Sequence, residues 1–143
     1  MINVRTYRDE DYDAVKINLQ EGGLFNDSVD TRETLRAKIQ QTPDSILVAT
    51  FNDQVVGNIY LIQDMWNSFI FRLAVRKDYR KRGIGSRLIE ESERLLKEKG
   101  VRDVALFVRS DDRELIDYYE KRGYISMEKL HQCMYKEIKL NNR

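Results

Sequence analysis

Arg80-Lys81-Arg82-Gly83-Ile84-Gly85 ends a basic segment and opens a long amphipathic stretch. Five basic residues and one acid fill positions 76–82, and Gly83-Ile84-Gly85-Ser86 follows directly. From Gly83 to Lys99 the apolar residues keep a helical period: Ile84, Leu88, Glu91 or Ser92, and Leu95, widened by Ile89 and Leu96. Glu90–Arg94 and Glu93–Lys97 are spaced as favourable i,i+4 pairs, and Gly100 suits the residue just past the helix end. A helix N-terminus presents free N–H groups and the positive end of its dipole. Two glycines there let a phosphate approach the backbone closely, and basic side chains can hold its outer oxygens. The competing reading is a solvated basic turn with a glycine-assisted helix start. The run is not a P-loop, since no Lys-Ser or Lys-Thr pair follows the second glycine, and Gly-x-Gly-x-x-Gly is incomplete.

Working outward, Phe69 to Val75 before the basic run reads as a strand. Before it come strands at 46–51 and 55–62, joined by a hairpin turn at Asn52-Asp53, so the three make an antiparallel meander. The first strand spans 2–7. A helix at 9–20 stops at Gly22-Gly23, and a second, capped by Asp30 or Thr31, carries Leu35 and Ile39. Downstream, Val101 to Val108 read as a strand, and Asp111 or Asp112 caps a short helix that ends at Gly123. Residues 124–129 and 132–138 read as two last strands, the second including Cys133. The order is β-α-α-β-β-β-α-β-α-β-β, an α/β (α+β) chain with a mixed, mostly antiparallel sheet of seven strands and helices on its faces.

At 143 residues, without repeat or linker, the chain is expected to form one domain over 1–143. A net charge of +1 and the lack of a second basic stripe argue against a nucleic-acid partner. No run approaches 18 apolar residues, so no membrane span is expected. One cysteine and no apolar leader make the cytoplasm the default location. Asn26-Asp27-Ser28 matches a glycosylation sequon, which means little without a secretory signal. The edge of the last strands leaves a homodimer open.

Arg80-x-x-Gly83-x-Gly85 resembles the Q/R-x-x-G-x-G/A signature of the GNAT superfamily of N-acetyltransferases. The strand ending Leu73-Ala74-Val75 precedes it at the right distance, and Leu115 to Tyr124 resemble the family's "A-I-x-L-Y-E-K-x-G-F" segment. The element order is also that of the family. The resemblance implies a sheet splayed between its fourth and fifth strands, with acetyl-coenzyme A as co-substrate and no metal. It implies that Lys81, Arg82, Gly83, Ile84, Gly85 and Ser86 surround the pyrophosphate beside Arg80. Leu73, Ala74 and Val75 would pair with the pantetheine arm, one amide there serving as an oxyanion donor. It implies direct acetyl transfer to the primary amine of a small molecule or peptide. Tyr119 would protonate the departing thiolate. Spacing alone leaves Tyr118 equal to Tyr119, and the family register favours Tyr119.

Two positions depart from the family pattern. Asp112 stands where the family often has an asparagine beside the cofactor arm, and an acid cannot donate an amide N–H. Phe69 stands where many members carry a general base, and no acid lies between Asn67 and Arg76. His131, Glu21 and Asp27 are the replacements on offer, with water or a neutral amine as the route that needs none. Phe25, Trp66 and Arg72 are candidate walls for the acceptor. The different-class reading is a non-catalytic acyl-CoA sensor; transfer of a longer acyl group is the enzymatic variant.

Overall fold

The computed structural model describes residues 1–127 and 132–138. They fall into two compact units, Met1–Phe107 and a second beginning at Val108.

The first unit is built on a four-stranded antiparallel meander in the order β1 (Ile2–Thr6), β2 (Ile46–Phe51), β3 (Gln54–Gln63) and β4 (Ser68–Val75). Asn52 and Asp53 have φ of 52° and 67°, and Phe51 pairs with Gln54 around them. Two positive φ angles give a hairpin turn whose twist matches that of the strands, and Asn and Asp tolerate it best after glycine. Strands β2 and β3 are buried on both faces, which explains their near-continuous apolar runs. On one face, α1 (Tyr12–Glu21) and α2 (Arg32–Gln41) bring Val15, Leu19 and Leu35 against Ile46, Val48 and Tyr60. On the other lies α3 (Ile84–Glu98), which buries Ile84, Leu88, Ile89, Ser92 and Leu96. Gly57 is the close approach: a Cβ there would lie 3.1 Å from Ile84 Cγ2 and 3.3 Å from Leu88 Cδ1. Thr31 rather than Asp30 caps α2, accepting from the Thr34 amide. Arg94 on α3 pairs with Glu91 and Glu98 instead of the expected Glu90.

The second unit contains α4 (Arg113–Glu120). Asp112, not Asp111, caps it, and Gly123 at φ 92° ends the turn after it.

The expectation of seven strands is corrected to four among the described residues. Residues 103–108 alternate in burial as a strand would. Their ladder to β4 is nevertheless one residue long: Ala105 donates to Ser68 O (2.9 Å) and accepts from Ile70 N (3.1 Å). Residues 124–127 and 132–138 form no strand, and Cys133 is exposed. Side-chain alternation gives a chain the period of a strand, but only a partner's backbone makes it one. The rest of the sixth strand, 128–129, and His131 lie outside the described residues.

Candidate active site

The junction between β4 and α3 gathers most of the site within the first unit. Opposite Asn58 and Tyr60 of β3, the register slips by one: Asn58 faces Ala74 while Tyr60 faces Phe71. Arg72 and Leu73 therefore share a single partner, Ile59, in a β-bulge, and Arg72 takes φ 54°. The slip changes which residues face the open edge of β4. Before the bulge, Ser68 and Ile70 turn their backbone groups outward, toward Ala105. After it, the Arg76 amide bonds inward to Val56 O (2.7 Å). By alternation Ala74 also turns inward, and Leu73 and Val75 turn their N–H and C=O groups to the edge.

Arg80 sits at the end of this edge. Its Nε donates to Val75 O (2.9 Å) and its Nη2 to Glu21 O (3.3 Å), so its guanidinium clamps β4 to the end of α1. Glu21 itself accepts the Lys77 amide at 2.7 Å. Lys81 has φ 65° and Gly83 φ 82°, two left-handed residues that bend the chain into α3. Lys81, Arg82 and Gly83 are exposed. Among the described residues no side chain caps α3 at Gly83 and nothing lies within 4 Å of a Cβ built there, and the first turn carries no acid. Arg82 lies 5.3 Å from the Phe51 ring centre and 5.2 Å from that of Tyr79, within cation–π range of both. An uncapped, glycine-led helix start with cations beside it fits a phosphate-bearing ligand. The open edge after the bulge fits an extended, amide-containing arm.

Tyr119 and Asp112 belong to the second unit. Tyr119 is buried, with the Tyr118 and Tyr124 rings centred 5.3 Å and 5.5 Å from its own. Burial, helped by neighbouring Tyr118, holds its phenol protonated, pushing the pKa up to about 12. Tyr118 is half-buried under the Arg122 guanidinium, 3.5 Å from its ring centre. Spacing treated these two tyrosines as equals; burial separates them. Asp112 Oδ1 accepts from the Leu115 amide (3.1 Å), the helix-cap role open to an acid.

The residues around the missing base take other roles. Phe69 stacks on Phe107, with ring centres 5.6 Å apart. Asp27 and Phe25 line an open cavity of about 570 Å³ with Lys16, Gln20 and Asn26. Trp66 is exposed. Arg72 pairs with Asp30, which is 2% exposed, at 3.2 Å through each carboxylate oxygen. Asn18 and Asn58 are buried polar residues beside the bulge that the sequence did not single out, and Asp30, read there only as a possible helix cap, is buried with them. The available signal was a lone asparagine within the apolar run Val55 to Ile62. Among the described residues no cluster of His, Cys, Asp or Glu could hold a metal ion.

A family model, acetyltransferase (GNAT) family, matches residues 10–124. Acetyltransferases of Pectobacterium atrosepticum and Sodalis glossinidius are 31% and 32% identical over 123 residues, covering 86% of this chain and 87% of each relative. Among solved structures, Ard1 of Thermoplasma volcanium superposes with a TM-score of 0.77 at 26% identity, over 87% of this chain and 82% of that one. The PaiA N-acetyltransferase of Thermoplasma acidophilum, solved in complex with coenzyme A, gives 0.76 at 20% identity, over 90% and 92%. The chain belongs to the GNAT acetyltransferase family. It is an acyltransferase with the α/β fold and antiparallel sheet of that family.

Proposed function

We propose that this acyltransferase moves an acetyl group from acetyl-coenzyme A directly to the primary amine of a small molecule or peptide. The observation that carries the reading is the meeting of two features in one unit: the edge at Leu73 and Val75, where among the described residues Arg80 alone bonds, to the Val75 carbonyl, and the start of α3 at Gly83, which no side chain there caps. Coenzyme A in the Thermoplasma acidophilum relative supports the choice of donor. The family match runs across both compact units, which supports one acetyltransferase domain over 1–143.

When bound, the co-substrate supplies an activated thioester. Amides from Lys81 to Ser86 hold its pyrophosphate, with the basic side chains around them screening the charge. The Leu73 and Val75 backbone groups align the arm as an added strand would. The Leu73 amide donates to the oxygen on which negative charge grows, a donor already fixed before reaction begins. Tyr119 keeps its proton at neutral pH and donates toward the sulfur as charge develops there. Glu21 Oε1 accepts the Lys77 amide, and on the route that needs no side-chain base the attacking amine loses its proton to water or arrives neutral. Holding both reactants together supplies much of the rate.

Arg82→Glu and Gly83→Trp test the site. Each is expected to end coenzyme A binding in calorimetry while the fold, followed by circular dichroism, persists. Unchanged binding overturns the assignment. A panel of polyamines, amino acids, aminoglycosides and peptide N-termini, read by thiol release, identifies the acceptor; no thiol release with any amine would reject transfer.

A further inference from the structure

The bulge that turns Leu73 to the open edge is held by a directional chain of hydrogen bonds. Arg76 Nε donates to Asn18 Oδ1 (3.0 Å), and its Nη2 donates to Ala14 O (3.2 Å). Asn18 Nδ2 donates to Asn58 Oδ1 (3.0 Å), and Asn58 Nδ2 donates to Arg72 O (3.0 Å). Both asparagines are fully buried, so no bulk water can substitute at either. The direction of the chain is forced. A guanidinium only donates, so Asn18 must turn its oxygen to Arg76 and its nitrogen to Asn58. Asn58 must then turn its oxygen to Asn18, which aims its own nitrogen at Arg72 O. From the other side, Asp30 grips the Arg72 guanidinium through both carboxylate oxygens. The residue at positive φ is thus pinned at its carbonyl from β3 and at its side chain from the segment before α2.

The peptide whose carbonyl belongs to Arg72 has the Leu73 amide as its other end. Peptide planarity means that fixing one fixes the other. We propose that Asn58 is a positioning residue for acyl transfer: oriented by Asn18 and Arg76, it sets the direction of the Leu73 N–H through the Arg72 carbonyl. The inference rests on the functional reading above for what that amide does, but not for how it is held. An ordinary strand would need no such device, because an alternating ladder fixes its own peptides. Here the ladder is interrupted, and side chains supply the missing constraint.

Asn58→Asp tests the last link with almost no change of shape. A carboxylate still accepts from Asn18 but repels the Arg72 carbonyl instead of donating to it. Asn18→Asp tests the link before: its carboxylate suits Arg76 but has no N–H for Asn58, which no longer has a donor fixing its oxygen. We expect kcat to fall between about tenfold and a hundredfold in Asn58→Asp, less in Asn18→Asp, with the KM for acetyl-coenzyme A within about threefold of wild type, as a misdirected amide leaves the phosphate site alone. The ratio of Asn58→Asp to wild-type kcat should rise as pH falls, since the introduced carboxyl regains a donor once it is protonated. A kcat unchanged in both variants, or a loss carried entirely by KM, overturns the proposal, as does a ratio that stays flat with pH.

Amide NMR signals of Leu73 and Val75 supply a readout without turnover. They should shift or double in Asn58→Asp and Asn18→Asp while those of Leu35 and Leu96 stay in place. Unmoved Leu73 signals in both variants overturn the proposal even if the enzyme has no measurable activity. Wild-type protein that binds no acetyl-coenzyme A would reject the functional reading alone. Should Asn58→Asp fail to fold, Asn18→Asp carries the same tests.

Discussion

Two helices of the first unit begin in opposite ways. At α2, Thr31 in an extended conformation accepts the Thr34 amide, and Glu33 stands in the first turn. At α3, Gly83 in a left-handed conformation offers no side chain, and the first turn holds no acid. A cap stabilises a helix by about 1 kcal/mol, so α3 forgoes a common source of stability. Its burial makes this tolerable, because Ile84, Leu88 and Ile89 are each 1% exposed or less. The contrast separates a helix start that is completed by its own chain from one that, on the proposed function, leaves its donors to a ligand.

The largest expected effect comes from filling the open start. Gly83→Trp should remove coenzyme A binding altogether in calorimetry, and φ 82° adds a strain of about 1–2 kcal/mol. Retained affinity would mean the two helix starts do not differ in kind. Next, Tyr119→Phe should lower kcat roughly a hundredfold with little change in cofactor affinity; stopped-flow thiol release would show this. Activity surviving that change would favour Tyr118 or water as the proton donor. Giving α3 a cap resembling that of α2 is the milder test. Gly83→Asn tolerates left-handed φ and brings a side-chain oxygen, so affinity should fall about tenfold, or 1.4 kcal/mol, with the fold unharmed. The reciprocal change, Thr31→Ala, should cost about 1 kcal/mol in denaturant unfolding and leave the coenzyme A affinity where it was. The smallest effect is on pH. The fold favours the protonated Tyr119 phenol, so its contribution is complete below about pH 10 and is lost as pH rises through about 12. Melting temperatures measured from pH 9 upward should therefore fall less in Tyr119→Phe than in wild type.

The meander was legible because β2 and β3 are apolar runs separated by Asn52-Asp53, and the turn chemistry fixes the pairing. The α3 start was legible because the helical period of Ile84, Leu88 and Leu95 begins directly after Gly83. The later strands were misread from alternation. Val104, Leu106 and Val108 do alternate with exposed neighbours, yet among the described residues only Ala105 forms a bridge to another strand. The bulge was invisible for the opposite reason: Phe69 to Val75 read as a continuous strand, and a one-residue slip leaves no mark on an apolar run. Asn58 and Asn18 are 40 residues apart, so their pairing exists only after the sheet and α1 have come together.

The missing side chain at Gly57 has a consequence for how the family site can be tuned. With Ile84 Cγ2 3.1 Å and Leu88 Cδ1 3.3 Å from where a methyl would sit, α3 rests almost directly on β3, and Ala74 O of β4 lies 3.2 Å from the same point. An alanine there would act as a shim, pressing the first turns of the helix and the β4 backbone at Ala74 away by a few tenths of an ångström. On the proposed function, the spacing between the helix start that would hold the pyrophosphate and the edge that would hold the arm is gauged by that one missing methyl.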